Sequence, residues 1–166
     1  MAEVTFKGTP MTLVGKEVKT GDQAPDFKVL DNSLNEVSLA DYSGQVKLIS
    51  VVPSVDTGVC AEQTKRFNDE AEKLGNVKVL TISMDLPFAQ KRWKAANDIQ
   101  HIDIFSDHKD ADFAENYGVL MQELRLLARS VFVIDSEGKV TYTEYVSEGT
   151  NHPNYEKALE AVRTTN

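Results

Sequence analysis

Leu48-Ile49-Ser50-Val51-Val52 is a near-continuous apolar run without the alternation of a half-exposed strand. A strand of this kind is buried on both faces, so it belongs inside a sheet covered by helices on each side. The next segment agrees. Cys60, Thr64, Phe67, Ala71 and Leu74 recur at i, i+4, i+7, i+11 and i+14, one face of a helix. Glu62 with Arg66 and Asp69 with Lys73 are spaced for i,i+4 ion pairs on its outer side, and Gly75-Asn76 stops it. Residues 77–83 predict a strand, and Pro87 suits the first turn of a helix running to about Asn97. A strand at 102–105 and a short helix near 112–117 follow. Strands at 130–134 and 140–145 are joined through the turn Asp135-Ser136-Glu137-Gly138, and a last helix places Tyr155, Ala158, Leu159 and Val162 on one face. Upstream, residues 4–7 and 11–14 read as a hairpin around Gly8-Thr9-Pro10, within residues 1–15, and 24–30 and 37–39 as two further strands. Hairpin, βα, βα, βα, ββ, α predicts one thioredoxin-like α/β domain over 1–166, with a mixed central sheet flanked by helices and an N-terminal β-hairpin.

The net charge of −8, from 18 basic and 26 acidic side chains, argues against a nucleic-acid partner, because a phosphate backbone would be repelled. No apolar run approaches membrane-spanning length, so no membrane partner is expected. Residues 1–15 alternate polar and apolar side chains and lack the apolar stretch of a secretory leader. One cysteine forms no internal bridge, and together these features point to a cytoplasmic protein.

That one cysteine is Cys60, where the buried strand turns into a helix N-terminus. Unpaired helix N–H groups and the positive end of the helix dipole favour a thiolate there, the reactive form. The order Pro53-x-x-x-Thr57-x-x-Cys60 adds a hydroxyl one helical turn before the sulfur. A lone intracellular cysteine is more often an inert buried residue; this context argues for a nucleophile. Taken singly, Thr57 reads as a helix N-cap and Arg129 as a surface charge at a strand start. His101, His108 and His152 lack metal-ligand spacing. Asp107, His108, Asp110 and Asp112 read as a solvated polar loop rather than a cation site, and no glycine-rich phosphate loop is present. No cofactor or metal is expected.

Pro53-x-x-x-Thr57-x-x-Cys60 resembles the peroxidatic motif of peroxiredoxins. The resemblance to the thiol peroxidase subfamily extends along the chain, through Val4-Thr5-Phe6-Lys7-Gly8, Met84-Asp85-Leu86-Pro87-Phe88-Ala89-Gln90-Lys91-Arg92-Trp93, Leu126-Leu127-Ala128-Arg129-Ser130-Val131-Phe132 and Asn151-His152-Pro153-Asn154-Tyr155. It implies that the Cys60 thiolate attacks the terminal oxygen of a hydroperoxide to give a sulfenic acid and water or an alcohol. In that scheme Arg129 stabilises the charge, Thr57 holds the peroxide in line, and Pro53 shields the thiolate and shapes the loop. Arg125 satisfies the same physics; the family pattern places the role on Arg129. A homodimer is also implied.

One departure changes the expected cycle. Most relatives carry a resolving cysteine where this chain has Lys94, and no other cysteine exists to replace it. The sulfenic acid must then be reduced by an external thiol, thioredoxin or a small thiol. Gly58, where many relatives have Pro, is a milder departure that loosens the turn before the helix. The leading expectation is a one-cysteine thiol peroxidase acting on hydrogen peroxide or organic hydroperoxides. The alternative is a redox-responsive binding protein that forms mixed disulfides at Cys60 without efficient turnover. A cysteine hydrolase would need a histidine base, and none lies within forty residues of Cys60 in sequence.

Overall fold

The computed structural model describes residues 2–165. β1 (Val4–Phe6) and β2 (Thr9–Met11) form the N-terminal hairpin, β3 (Leu13–Val14) follows, and β4 (Lys28–Leu30) and β5 (Glu36–Ser38) lead through a 3-10 turn at Leu39–Tyr42. Then come β6 (Lys47–Val51), α1 (Gly58–Ala71), β7 (Lys78–Ser83), α2 (Pro87–Ala96), β8 (Asp103–Ser106) and α3 (Asp112–Asn116). The chain continues through β9 (Leu120–Met121), β10 (Leu126–Leu127), β11 (Ser130–Ile134), β12 (Val140–Tyr145) and α4 (Tyr155–Thr164).

Seven strands form the central sheet in the order β12-β11-β6-β7-β8-β4-β5. β6, β7 and β8 run parallel, as their helical crossovers require, while β11 and β4 flank them antiparallel. All five residues of β6 and of β11 are buried, as the apolar runs predict. Two cores result. On one face Leu48, Val131, Val133 and Ile104 pack against Phe67 of α1 and Ala158, Leu159 and Val162 of α4, with Trp93 of α2 alongside. On the other, Ile49, Leu80, Ile82 and Phe132 meet Phe27, Phe113 and Tyr117. Phe113 and Tyr117 stack at 4.4 Å, and Phe132 meets Tyr117 edge-on at 5.1 Å. The thioredoxin-like sheet covered on both faces is therefore present.

Several local readings need correction. The hairpin turns at Lys7-Gly8, both at positive φ, so it is a two-residue loop of the kind that matches strand twist. Pro10 sits inside β2 opposite Thr5, where an edge strand tolerates a missing N–H. Leu13-Val14 leaves the hairpin and pairs with β9; β3, β9 and β10 are all dipeptide strands, too short to leave a sequence signature. In the 24–30 stretch only Lys28–Leu30 is strand. α1 ends at Ala71, before Leu74. Arg66 pairs with Glu156 at 3.1 Å and Glu70 at 4.0 Å, and Lys73 also approaches Glu70 at 4.0 Å, so the charged face is organised around Glu70 and α4. The loop at 107–112 is not simply solvated. Asp107 is buried and its carboxylate accepts from the N–H groups of Phe113 and Ala114, capping α3, while Asp112 accepts from the Lys28 N–H.

Candidate active site

Cys60 occupies the first turn of α1, beyond the carboxyl end of β6, and its residue surface is wholly buried. The antiparallel register of β11 on β6 pairs Ser130 with Val51. Arg129, one residue before Ser130, is thereby carried to the same end of the sheet as Cys60, from 69 positions away. Its side chain is buried and all three of its nitrogen positions are used. Nη2 donates to Cys60 Sγ at 3.1 Å, Nη1 to Gln63 Oε1 at 2.9 Å, and Nε to the Gly149 carbonyl at 3.0 Å. A guanidinium only donates, so the sulfur is the acceptor in this contact. Gln63 is itself held by its Nε2 bond to Ser50 Oγ at 2.8 Å. The positive charge is thus aimed by a planar fork whose other two arms are occupied.

The strand-to-helix loop is pinned from the neighbouring strand. Asp85, just after β7, accepts from Ser54 Oγ at 2.7 Å, from the Val55 N–H at 2.8 Å and from Ser83 Oγ at 2.6 Å. Gln90 of α2 then bonds both Ser83 Oγ and the Phe105 carbonyl. Pro53 is buried at the start of this loop. Thr57 stands at the helix N-cap with extended backbone (φ −103°, ψ 157°), yet its hydroxyl makes no capping bond and the residue is exposed. Its capping role is therefore unfilled and its hydroxyl is left for another partner. Thr64 binds the Cys60 carbonyl from within the helix.

The C-terminal rim is closed by a second network. His152 Nδ1 lies 2.7 Å from the Tyr155 hydroxyl and His152 Nε2 3.2 Å from Glu62 Oε2. Tyr155 packs edge-on against Phe67, with the Arg66 guanidinium 4.8 Å from its ring centroid. Burial pushes the Tyr155 phenol up to about 12 against the pull of Arg129 and Arg66, so it stays protonated at neutral pH.

The structure brings Cys60, Arg129 and the loop from Pro53 to Thr57 together. It sends Arg125 elsewhere, to an exposed positive-φ position in the β9–β10 turn. His152 is engaged by Tyr155 and Glu62, while the Cys60 sulfur is engaged by Arg129, an arrangement unlike a cysteine–histidine pair. Lys94 lies half-buried on α2. Sequence reasoning missed Gln63, Ser50, Gly149 and the anchoring role of Asp85. Only Gln63 left a trace, a polar residue one turn from Cys60. A cavity of about 800 Å3 lined by Gly44, Val46, Lys73, Val77, Val162 and Arg163 opens near the start of β6, at the opposite end of that strand from Cys60, and contains none of the predicted site residues.

A family model described as Redoxin matches residues 19–159. A curated thiol peroxidase from Bacillus subtilis (strain 168) is 67% identical over 163 residues, covering 98% of each chain. The chain belongs to the thiol peroxidase family. Another thiol peroxidase, from Oceanobacillus iheyensis, is 63% identical over 96% of this chain and 97% of its own. Among solved structures, a peroxiredoxin-like protein from Aquifex aeolicus superposes with a TM-score of 0.92 at 43% identity, over 98% of this chain and 96% of that one. A thiol peroxidase from Chromobacterium violaceum shares the fold, with a TM-score of 0.89 at 20% identity over 98% and 95% of the two chains. Within the thiol peroxidase family, a chain whose single cysteine is Cys60 lacks a resolving cysteine.

Proposed function

We propose that this chain is a one-cysteine thiol peroxidase in which Cys60 is the nucleophile, Arg129 the charge-stabilising donor, Thr57 the residue that orients the peroxide, and Pro53 the shield of the sulfur. The observation that carries the reading is the Arg129 fork, with one arm on Cys60 Sγ at 3.1 Å and the others held by Gln63 and Gly149. An S–O bond forms as the peroxide O–O bond breaks. Sulfur is oxidised, and the departing oxyanion takes a proton to become water or an alcohol. Preorganised donors at the sulfur meet that developing charge without having to reorganise. Because the sulfur is sealed from solvent, access needs a local shift of its surroundings, and the exposed stretch from Asp56 to Gly58 is the part of the loop beyond the Asp85 anchor.

In the second half-reaction an external thiol attacks the sulfenic sulfur, releasing water and leaving a mixed disulfide, which a second thiol or thioredoxin reduces. Lys94 and the single cysteine support this route, because no second thiol exists within the chain. The same proposal treats residues 1–166 as one domain, supported by two cores that share one sheet. It also includes residence in the cytoplasm and a homodimer, the latter supported by family resemblance and by exposed Leu86 and Phe88 at the start of α2. Among the described residues no helix is long and apolar enough to cross a membrane.

The test is peroxide consumption by the reduced protein beside a Cys60→Ser variant, with dithiothreitol or thioredoxin as reductant. Continuous turnover that vanishes in the variant is expected. Equal consumption by both proteins would sink the reading, and one stoichiometric burst without turnover would favour a redox sensor instead.

A further inference from the structure

Gly149, whose carbonyl accepts from Arg129 Nε, lies in a loop after β12 that is held almost entirely by the N-terminal hairpin. The Thr5 N–H donates to the Ser147 carbonyl at 2.8 Å, and the Gly149 N–H donates to the Thr5 carbonyl at 2.7 Å, so β1 clasps the loop on both sides of Glu148. The Glu148 carboxylate completes the clasp. Oε1 accepts from Thr5 Oγ1 at 2.9 Å and the Gly8 N–H at 2.7 Å; Oε2 accepts from the Lys7 N–H at 3.3 Å, the Thr150 N–H at 2.6 Å and the Thr150 hydroxyl. Below the loop, the Phe6 ring lies where a Cβ on Gly149 would come within 2.5 Å of its edge, so the hairpin also fixes the loop's height.

We infer that Glu148 is a positioning residue for Cys60 oxidation: by locking the loop to the hairpin it sets the Gly149 carbonyl, and through it the plane of the Arg129 fork on the sulfur. The inference rests on the peroxidase reading above and adds a job for the N-terminal hairpin. A planar guanidinium held at Nε and Nη1 has little freedom to swing its Nη2 arm. With the Gly149 carbonyl released, only the Gln63 contact orients the fork, and displacements near 1 Å at such a site cost up to about 100-fold in rate. Alanine at 148 removes both acceptors. Glutamine keeps one oxygen but presents an NH2 to the other donors, so it breaks part of the clasp with little change of shape.

The experiment is a double-mutant cycle read by stopped-flow oxidation of the reduced full-length protein with hydrogen peroxide. Glu148→Ala is expected to slow oxidation about 10-fold in the native background and less than about 2-fold in an Arg129→Lys background, where the fork is already gone. Its loss of thermal stability should be the same in both. Glu148→Gln serves if the alanine variant does not fold, with a smaller slowing and the same dependence on Arg129. Equal slowing in both backgrounds, or a fall in stability with an unchanged oxidation rate, would overturn the inference and leave Glu148 a structural residue. If Arg129→Lys alone oxidises at the native rate, the arginine assignment itself fails, and the positioning role falls with it.

Discussion

Replacing Arg129 by Lys keeps the positive charge and removes the fork, so it separates charge from geometry. In the native protein three donors leave one plane toward Sγ, Gln63 Oε1 and the Gly149 carbonyl, at 3.1, 2.9 and 3.0 Å. An ammonium is a compact point charge on a flexible stem and cannot span all three acceptors at once. Hydrogen bonds to charged groups contribute about 1.5–3 kcal/mol. Losing the one aimed at the reacting sulfur and peroxide therefore predicts roughly 10- to 150-fold slower oxidation, at about 1.4 kcal/mol per decade. The assay is stopped-flow fluorescence of Trp93, the single tryptophan, which packs against the core containing Cys60. Alkylation of Cys60 by iodoacetamide provides the control, because it needs a reactive sulfur but releases no oxyanion. If the fork serves the departing oxygen, peroxide oxidation should fall further than alkylation. Native-like oxidation in Arg129→Lys would refute the argument from fork geometry, and equal losses in both reactions would confine Arg129 to the sulfur alone.

Asp85→Ala should loosen the loop that delivers Cys60, because the buried Val55 N–H and two hydroxyls lose their acceptor. Unsatisfied groups of this kind cost about 1–3 kcal/mol each. A melting temperature lower by roughly 5–15 °C is expected, together with slower peroxide oxidation, both read on one preparation; native values for both would remove Asp85 from the site. Asp107 predicts a pH effect on stability. Burial lifts its carboxyl from 3.8 to about 6 even though the N–H groups of Ala114 and Phe113 pull it down. The native state thus holds the proton more tightly than the unfolded chain. Its contribution is complete below about pH 4 and is lost as pH rises through 6, a change of about 3 kcal/mol. Urea unfolding across pH 4–7 should show wild type losing stability relative to Asp107→Asn by about that amount as pH rises, and a constant or rising difference would contradict the assignment.

The central sheet was legible because burial on both faces leaves a mark that any strand must carry. Leu48 to Val52 and residues 130–134 have no polar alternation, and they became β6 and β11, buried throughout. The helix carrying Cys60 was legible for the same reason, its apolar spacing matching one face of α1. Short elements were not. β3, β9 and β10 are two residues each, too brief for a period to show, and they exist because neighbouring segments supply their partners. The ion pairs of α1 differ from the predicted ones because Arg66 and Lys73 each have more than one acidic neighbour within a helical turn and both approach Glu70, and because spacing along one helix cannot record Glu156 arriving from α4.

The sequence by itself determined that the one thiol stands in the first turn of a helix behind a buried strand, and that no second thiol exists to resolve it. Both are local or countable properties. Only the tertiary structure decided what touches that sulfur. Arg129 reaches it through the antiparallel pairing of Ser130 with Val51, Gln63 is aimed by Ser50, and the Gly149 carbonyl is held by a hairpin from the other end of the chain. Strand register and loop closure are long-range choices made by the whole core, so no periodicity near Cys60 records them.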